Sequence, residues 1–206
     1  NTGAKTYYEA GDMIFEDVST KNARGEEAPG QIDEADRVIL GSSNPDIYGN
    51  ISTNLSWKNL SLDCRFNYSL GNEAFNYMRQ QLESGSRFMN QTSAMMNRWT
   101  NEGMVTNMPK ATYGDPMGNA RFSDRWIEDA SYLKLKTLTL SYKLPINNTY
   151  IQGLSVWAQA NNVFTATKYL GTDPEFSMGN GVLMQGVDCG LLSQGRNFHV
   201  GVKINL

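Results

Sequence analysis

The sequence lacks several features that would place it in a common class. Its 206 residues include one histidine, two cysteines and six prolines, and charged residues make up 19%. No run approaches the roughly 20 consecutive apolar residues of a membrane-spanning helix. The net charge is -3, and Lys and Arg are scattered, which argues against the basic face of a nucleic-acid-binding protein. We predict that Cys64 and Cys189 are free thiols.

Side chains for catalysis are also scarce. The single histidine, His199, falls in an alternating strand pattern and has no nucleophile–acid set in sequence around it. Glu128 and Asp129 are adjacent, so they would point to opposite sides of a strand. No CxxC, HExxH or glycine-rich phosphate motif occurs. The sequence therefore predicts a protein that is not an enzyme and has no catalytic cofactor.

What the sequence does contain is alternation of apolar and polar residues. Two such runs lie on either side of Lys58-Asn59, and in each of them the apolar residues occupy every second position. In the second run Asp63 and Arg65 occupy positions between the apolar residues. This pattern predicts strands at 46–57 and 60–70 joined by a tight turn. Further strands are expected at 131–144, 153–163 and 196–206, the last ending on Leu206.

The third strand changes phase near Lys136-Thr137, either at a β-bulge or where its environment changes. Short turns alternate with long stretches at 71–130 and 164–195, and some helical turns are expected between Glu73 and Trp99. A soluble β-sandwich would also show alternating strands. The long apolar sets and the connection of about 60 residues instead favour a membrane barrel, whose strands need about 9–11 tilted residues.

In a membrane barrel the apolar residues would face lipid, and Asp63 and Arg65 would face a hydrated interior. Five strands cannot close such a barrel alone, because barrels have at least about eight. The remainder of the barrel would come from residues outside this chain or from other subunits. The membrane segments would be the hairpins 46–70 and 131–163 and the terminal strand 196–206. If the C-terminus is periplasmic, the extracellular loops are 1–45, 71–130 and 164–195.

Four stretches resemble motifs of the SusC/RagA family of TonB-dependent outer-membrane transporters. They are "GDMIFEDV", "IDEADRVILGSSNPDIYGN", "SDRWIEDASYLKLKTLTLSYKLP" and "VWAQANNVFTATKYLGTDPE". The resemblance implies an all-β, antiparallel transmembrane β-barrel with long extracellular loops in the bacterial outer membrane. This chain would supply the C-terminal five strands or so of a 22-stranded barrel. The plug domain that fills such a barrel is absent from this chain.

The resemblance also implies partners and a function. A SusD-like surface lipoprotein would cap the barrel, and the TonB-ExbB-ExbD complex would energise it through the missing N-terminal part. The substrate would be an oligosaccharide or an oligopeptide. Two other classes stay open from the sequence: a soluble β-sandwich that binds glycans, and a passive porin or autotransporter-type barrel built from several short chains.

Two groups of residues are candidate sites. The family often carries a D-x-[ND]-G-D-G loop that looks cation-binding, of which Asp17, Asp33 and Asp36 remain here in matching places. They predict either a degenerate calcium site, since Ca²⁺ takes carboxylate oxygens, or a solvated acidic loop. Trp99, Tyr113 and Trp126 in or beside the loop 71–130 would either contact substrate or partner, or pin the loop onto the barrel rim or onto the cap protein.

Overall fold

A computed structural model describes residues 8–146, 150–176 and 185–205. Leu206, part of the turn 145–152 and part of the loop 164–195 lie outside the described residues. The strands are β1 (Ile47–Trp57), β2 (Leu60–Leu70), β3 (Glu73–Asn76), β4 (Ile127–Asp129), β5 (Tyr132–Leu144), β6 (Gly153–Thr167), β7 (Val187–Asp188) and β8 (Asn197–Asn205). One α-helix, α1, covers Tyr77–Glu83, and 3₁₀ turns lie at Glu34–Asp36, Ser93–Asn97 and Asp124–Trp126.

No helix in the described ranges is long and apolar enough to cross a membrane. The chain divides into two compact units: one contains 1–41 and 77–126, and the other contains 42–76 and 127–206. The second unit holds all eight strands. The prediction of a mostly β chain is confirmed.

The main sheet has five antiparallel strands in the order β1-β2-β5-β6-β8. β1 pairs with β2 and β5 pairs with β6 across short connections, whereas β2 meets β5 and β6 meets β8 across the long connecting stretches. At the tightest turn Lys58 takes a left-handed backbone (φ 54°), and the side-chain amide of Asn59 donates to the carbonyl of Lys143 at 2.7 Å. Within the described residues this sheet is open, with β1 and β8 as its edges.

The pairing register gives the sheet one apolar face and one polar face. Cross-strand rows such as Leu55–Leu62–Leu140–Ala158–Val200 run through all five strands on the apolar side. The next row, Asn54–Asp63–Thr139–Gln159–His199, is polar throughout. Since side chains alternate between faces, the strict sequence pattern of each strand produces two continuous surfaces.

The phase change in β5 is a β-bulge. Phe66 of β2 pairs with Leu135 and Arg65 pairs with Thr137, so Lys136 has no partner in that ladder. The inserted residue returns the following leucines, beginning with Leu138, to the apolar face. Of the two explanations that the sequence left open, the bulge is correct.

The chain also forms a small second sheet with the strand order β4-β3-β7. Its strands have two to four residues each, and Ala74 and Ala130 are buried there with Tyr169, against which the partly buried Phe176 packs. The helical turns expected from Glu73 onward begin only at Tyr77, because Glu73–Asn76 pairs with β4 and β7 instead. Strand β6 is longer than expected and continues to Thr167.

Candidate functional site

The apolar face of the main sheet is exposed rather than packed against a second layer. Trp57 is 71% exposed and Val200 is 82% exposed, and large side chains on every strand of the sheet share this exposure. A soluble sheet covers such a face because each large apolar side chain gains about 1.5–3 kcal/mol when it leaves water. The described residues therefore do not form the alternative β-sandwich, and they leave a continuous apolar face exposed.

The opposite face is polar, and its side chains bond along the sheet. Asn54 donates its side-chain amide to Asp63, and Gln159 donates to Asn161 at 2.8 Å. A side chain at Gly201 would collide with the indole of Trp157, whose ring lies over that glycine. Gly201 therefore leaves the space that the indole of Trp157 occupies on the polar face. This surface is suited to contact with water and hydrogen-bonding solutes.

An ion cluster fixes the segment after β6 to the sheet. Lys134 is 2% exposed, and its Nζ lies 2.8 Å from Asp173 and 3.1 Å from Glu175. The bulged Lys136 lies 2.6 Å from the same Glu175 carboxylate and 2.8 Å from the Gln194 side-chain oxygen. Two lysines spaced by two residues thus meet two acids spaced by two residues. Because the charges balance, each buried ion has a partner.

A second contact holds the same segment. The hydroxyl of Tyr169 donates to the Asp188 carboxylate at 2.6 Å, and its ring packs on Phe176 with centroids 5.7 Å apart. Burial, followed by this hydrogen bond, raises the pKa of Tyr169 well above its usual value. The backbone N–H of Leu170 donates to Glu128 at 2.9 Å. The motif "YLGTDPE" therefore consists of residues that order the loop.

Trp126 is an internal residue of the other unit. Its side chain is 1% exposed, and its indole N–H donates to the carbonyl of Arg121 at 3.0 Å. The guanidinium groups of Arg79 and Arg125 lie 5.5 and 5.1 Å from the ring centroid, within cation–π range. The ring is thus enclosed by residues of its own loop, and its contact with substrate or partner stays a prediction.

Tyr113 and Trp99 lie in different surroundings. The ring of Tyr113 is 72% exposed and stacks on Phe88, which is 96% exposed, with centroids 5.2 Å apart. Trp99 is half-buried over Gly11, whose left-handed backbone (φ 87°) and missing side chain make room for the indole. Tyr113 thus keeps a free aromatic surface, whereas Trp99 is engaged with its own unit. The substrate or partner contact of these residues stays a prediction.

The three acidic candidates lie in one turn-rich segment. Asp36 accepts the backbone N–H groups of Val18 and Ser19 at 3.0 Å and that of Asp33 at 2.7 Å. The hydrogen bond from Asp33, then that from Ser19, holds the pKa of Asp36 below its ordinary value. Asp17 accepts from the backbone of Gly30 at 2.5 Å.

Asp33 caps the 3₁₀ turn Glu34–Asp36, where it accepts from Ala35 at 2.8 Å. Its second oxygen accepts the backbone N–H of Ala23 at 3.2 Å. Through the described part of the chain, no three His, Cys, Asp or Glu side chains are grouped to hold a metal ion. The carboxylates order the loop through backbone bonds, and calcium binding there remains a prediction.

Sequence reasoning missed several of these functional and structural residues. Phe88 has no motif around it, and its pairing with Tyr113 follows only from the folded loop. The lysines of "YLKLK" and the acids of "DPE" were quoted as motifs, but their meeting across 39 residues was not predicted. The sequence offered one signal for this contact, since the two lysines and the two acids are each spaced by two residues and carry opposite charges.

Comparison with known proteins places these features in context. No family model matches the chain. It is 31% identical over 183 residues to TonB-dependent receptor P3 of Formosa agariphila, which covers 85% of this chain and 18% of that receptor. It is 29% identical over 187 residues to TonB-dependent receptor P26 of the same organism, covering 87% and 19% of the two chains. The chain thus spans about a fifth of the length of the curated relatives that it matches.

Solved structures give the same picture. The RagAB peptide importer in its "closed-closed" state superposes with a TM-score of 0.71 and 31% identity, over 89% of this chain and 20% of that one. The "open-open" state gives 0.68 and 32%, over 81% and 18%. These relatives and neighbours are receptors and importers rather than enzymes.

Proposed function

This chain belongs to the SusC/RagA family of TonB-dependent receptors, and we propose that it forms one arc of the closed barrel wall of an outer-membrane importer. The single observation that carries the proposal is the sheet with one exposed apolar face and one polar face. In a bilayer every backbone group must be paired, so the open edges β1 and β8 would pair with further strands of the same barrel. Lipid would cover the apolar face, and the polar face would line a hydrated interior.

The complete importer that we propose has 22 strands, an N-terminal plug, and loops on the outer surface of the cell. The TonB-ExbB-ExbD complex energises it, and a SusD-like lipoprotein caps it. The C-terminus is periplasmic. Kinship with TonB-dependent receptors supports the energy source. The cargo is an oligomeric nutrient, and likeness to the RagAB peptide importer supports a peptide rather than a glycan.

Site-directed fluorescence in the full-length receptor tests the membrane placement. Cys64 and Cys189 would be replaced by alanine, and a fluorophore attached at Val200→Cys or, as the matched control, at the adjacent His199→Cys. The two positions lie on opposite faces of β8. In liposomes, nitroxide lipids should quench the label at 200, and iodide in water should quench the label at 199. Equal quenching of both labels by iodide would contradict the proposal.

Growth of a deletion strain tests the cargo. We expect the strain to lose growth on oligopeptides as sole nitrogen source while it keeps growth on oligosaccharides and on free amino acids. Restoring the gene should restore growth. Loss of growth on one glycan class alone would show that the cargo is a glycan and would overturn the peptide assignment.

A further inference from the structure

The polar face of the main sheet contains a recess of about 640 Å³ at the level of the β5 bulge. One row of paired residues crosses it from β1 to β8, namely Ser52–Arg65–Thr137–Asn161–Asn197. Asn50, Asn67, Lys136 and Asn162 complete the lining. The recess therefore presents five asparagines and two cations.

The bulge shapes the recess. Lys136 is the inserted residue of β5, and Asn162 on the neighbouring β6 takes a left-handed backbone with φ 52°. The side-chain amide of Asn162 donates to the carbonyl of Gly195 at 3.0 Å, which holds this conformation. Such irregularities redirect side chains beside binding sites, and they cost free energy that a plain ladder would avoid.

The two cations of the recess differ in their partners. Lys136 is neutralised by Glu175 at 2.6 Å. Arg65 is exposed and makes no ion pair among the described residues, and the residues outside the described ranges include no Asp or Glu. Asp63, two residues away on the same face, is bonded to Asn54. The guanidinium of Arg65 is thus a cation of the recess that has no carboxylate partner among the described residues.

From this arrangement we propose that the recess binds a carboxylate of an acidic oligopeptide during import. Arg65 takes the carboxylate through its guanidinium fork, because that group matches carboxylate geometry in two parallel hydrogen bonds. The surrounding asparagines supply both donors and acceptors for the adjoining peptide groups. The inference rests on the proposed peptide importer and narrows its cargo to peptides that carry Asp or Glu.

The test uses the purified full-length receptor in nanodiscs and two fluorescent peptides. One peptide is rich in Asp and Glu, and the other has Asn and Gln at the same positions. We expect Arg65→Gln to weaken binding of the acidic peptide by about fivefold, the upper range for a solvated ion pair, and to leave the amide peptide unchanged. Lys203→Gln removes a cation from the same face outside the recess, and it should leave both affinities unchanged.

The possible results distinguish failure of the carboxylate site from failure of peptide import. If Arg65→Gln changes neither affinity, or changes both equally, the carboxylate site is wrong while peptide import stands. If Arg65→Gln lowers the melting temperature of the peptide-free receptor and Lys203→Gln does not, Arg65 pairs with another part of the receptor and the proposal is overturned. If neither peptide binds the wild type, the peptide assignment fails together with the recess.

Discussion

Replacing Lys134 by methionine is expected to release the segment 168–176 from the sheet. Lys134 and Asp173 are 2% and 9% exposed, and the ammonium and carboxylate are 2.8 Å apart. Removing one member of a buried ion pair leaves the other uncompensated, which costs about 3–5 kcal/mol. After the change Asp173 retains only backbone donors, the N–H of Glu175 at 3.0 Å and that of Gln194 at 3.4 Å.

Asp173→Asn should cost less, because Lys134 still has Glu175 at 3.1 Å. A loss of about 1.5–3 kcal/mol is expected, the range for a hydrogen bond to a charged group. The double variant Lys134→Met, Asp173→Asn should cost less than the sum of the two single changes, since neither ion is then left alone.

Hydrogen exchange of the full-length receptor measures these effects locally. The backbone N–H groups of Tyr169 and Leu170 join this segment to residues outside it, since they donate to the Thr167 hydroxyl at 3.1 Å and to Glu128 at 2.9 Å. In Lys134→Met their exchange should accelerate by about a hundredfold to a thousandfold, since each 1.4 kcal/mol is a factor of ten. Acceleration below about tenfold would show that the hydrophobic packing of Tyr169 holds the segment without the ion cluster.

Three other predictions concern separate parts of the chain. Val200→Arg should destabilise the receptor by about 2–4 kcal/mol, measured by urea unfolding of the receptor in liposomes, because it puts a charge on the apolar face. His199→Arg on the polar face should have little effect. Trp126→Ala should cost about 3–5 kcal/mol of local stability and make 77–126 sensitive to protease, while Tyr113→Ala should leave protease resistance unchanged. The backbone bonds to Asp36 should persist at neutral pH and weaken as pH falls below about 4, because its folded pKa lies below the ordinary one. Hydrogen exchange at 18–36 should follow that change. Asp36→Asn should show the fast exchange already at neutral pH, because it lacks the carboxylate that accepts these backbone N–H groups.

The long strands were predictable from the sequence because apolar residues alternate along each of them, with one change of parity in β5. That change at Lys136 was visible in the sequence, but the fold was needed to choose the bulge over a change of environment. The small sheet was not, since strands of two to four residues, such as Val187–Asp188, carry no period. Their pairing depends on contacts between distant segments, as when Phe75 meets Val187.

The candidate site was predictable only in part. Asp63 and Arg65 were expected on the polar face, and the register places them there. The aromatic residues of the loops could not be separated in advance, because burial of Trp126 and exposure of Tyr113 arise from tertiary packing that composition does not encode. The fold was likewise needed to find that Arg65 has no ion-pair partner among the described residues, since Asp63, Asp173 and Glu175 bond to other groups.

The length of the apolar surface on β2 has a consequence for the lipid that such a receptor tolerates. From Leu60 to Tyr68 the strand rises about 27 Å, which a tilt near 40° reduces to a slab about 21 Å thick. Outer membranes are thinner than average bilayers, and this slab suits them. In vesicles of long-chain lipids the acyl region would be thicker than this apolar slab and would extend beyond both of its ends. Because such a mismatch costs free energy, the yield of refolded receptor should fall as the lipid chains become longer.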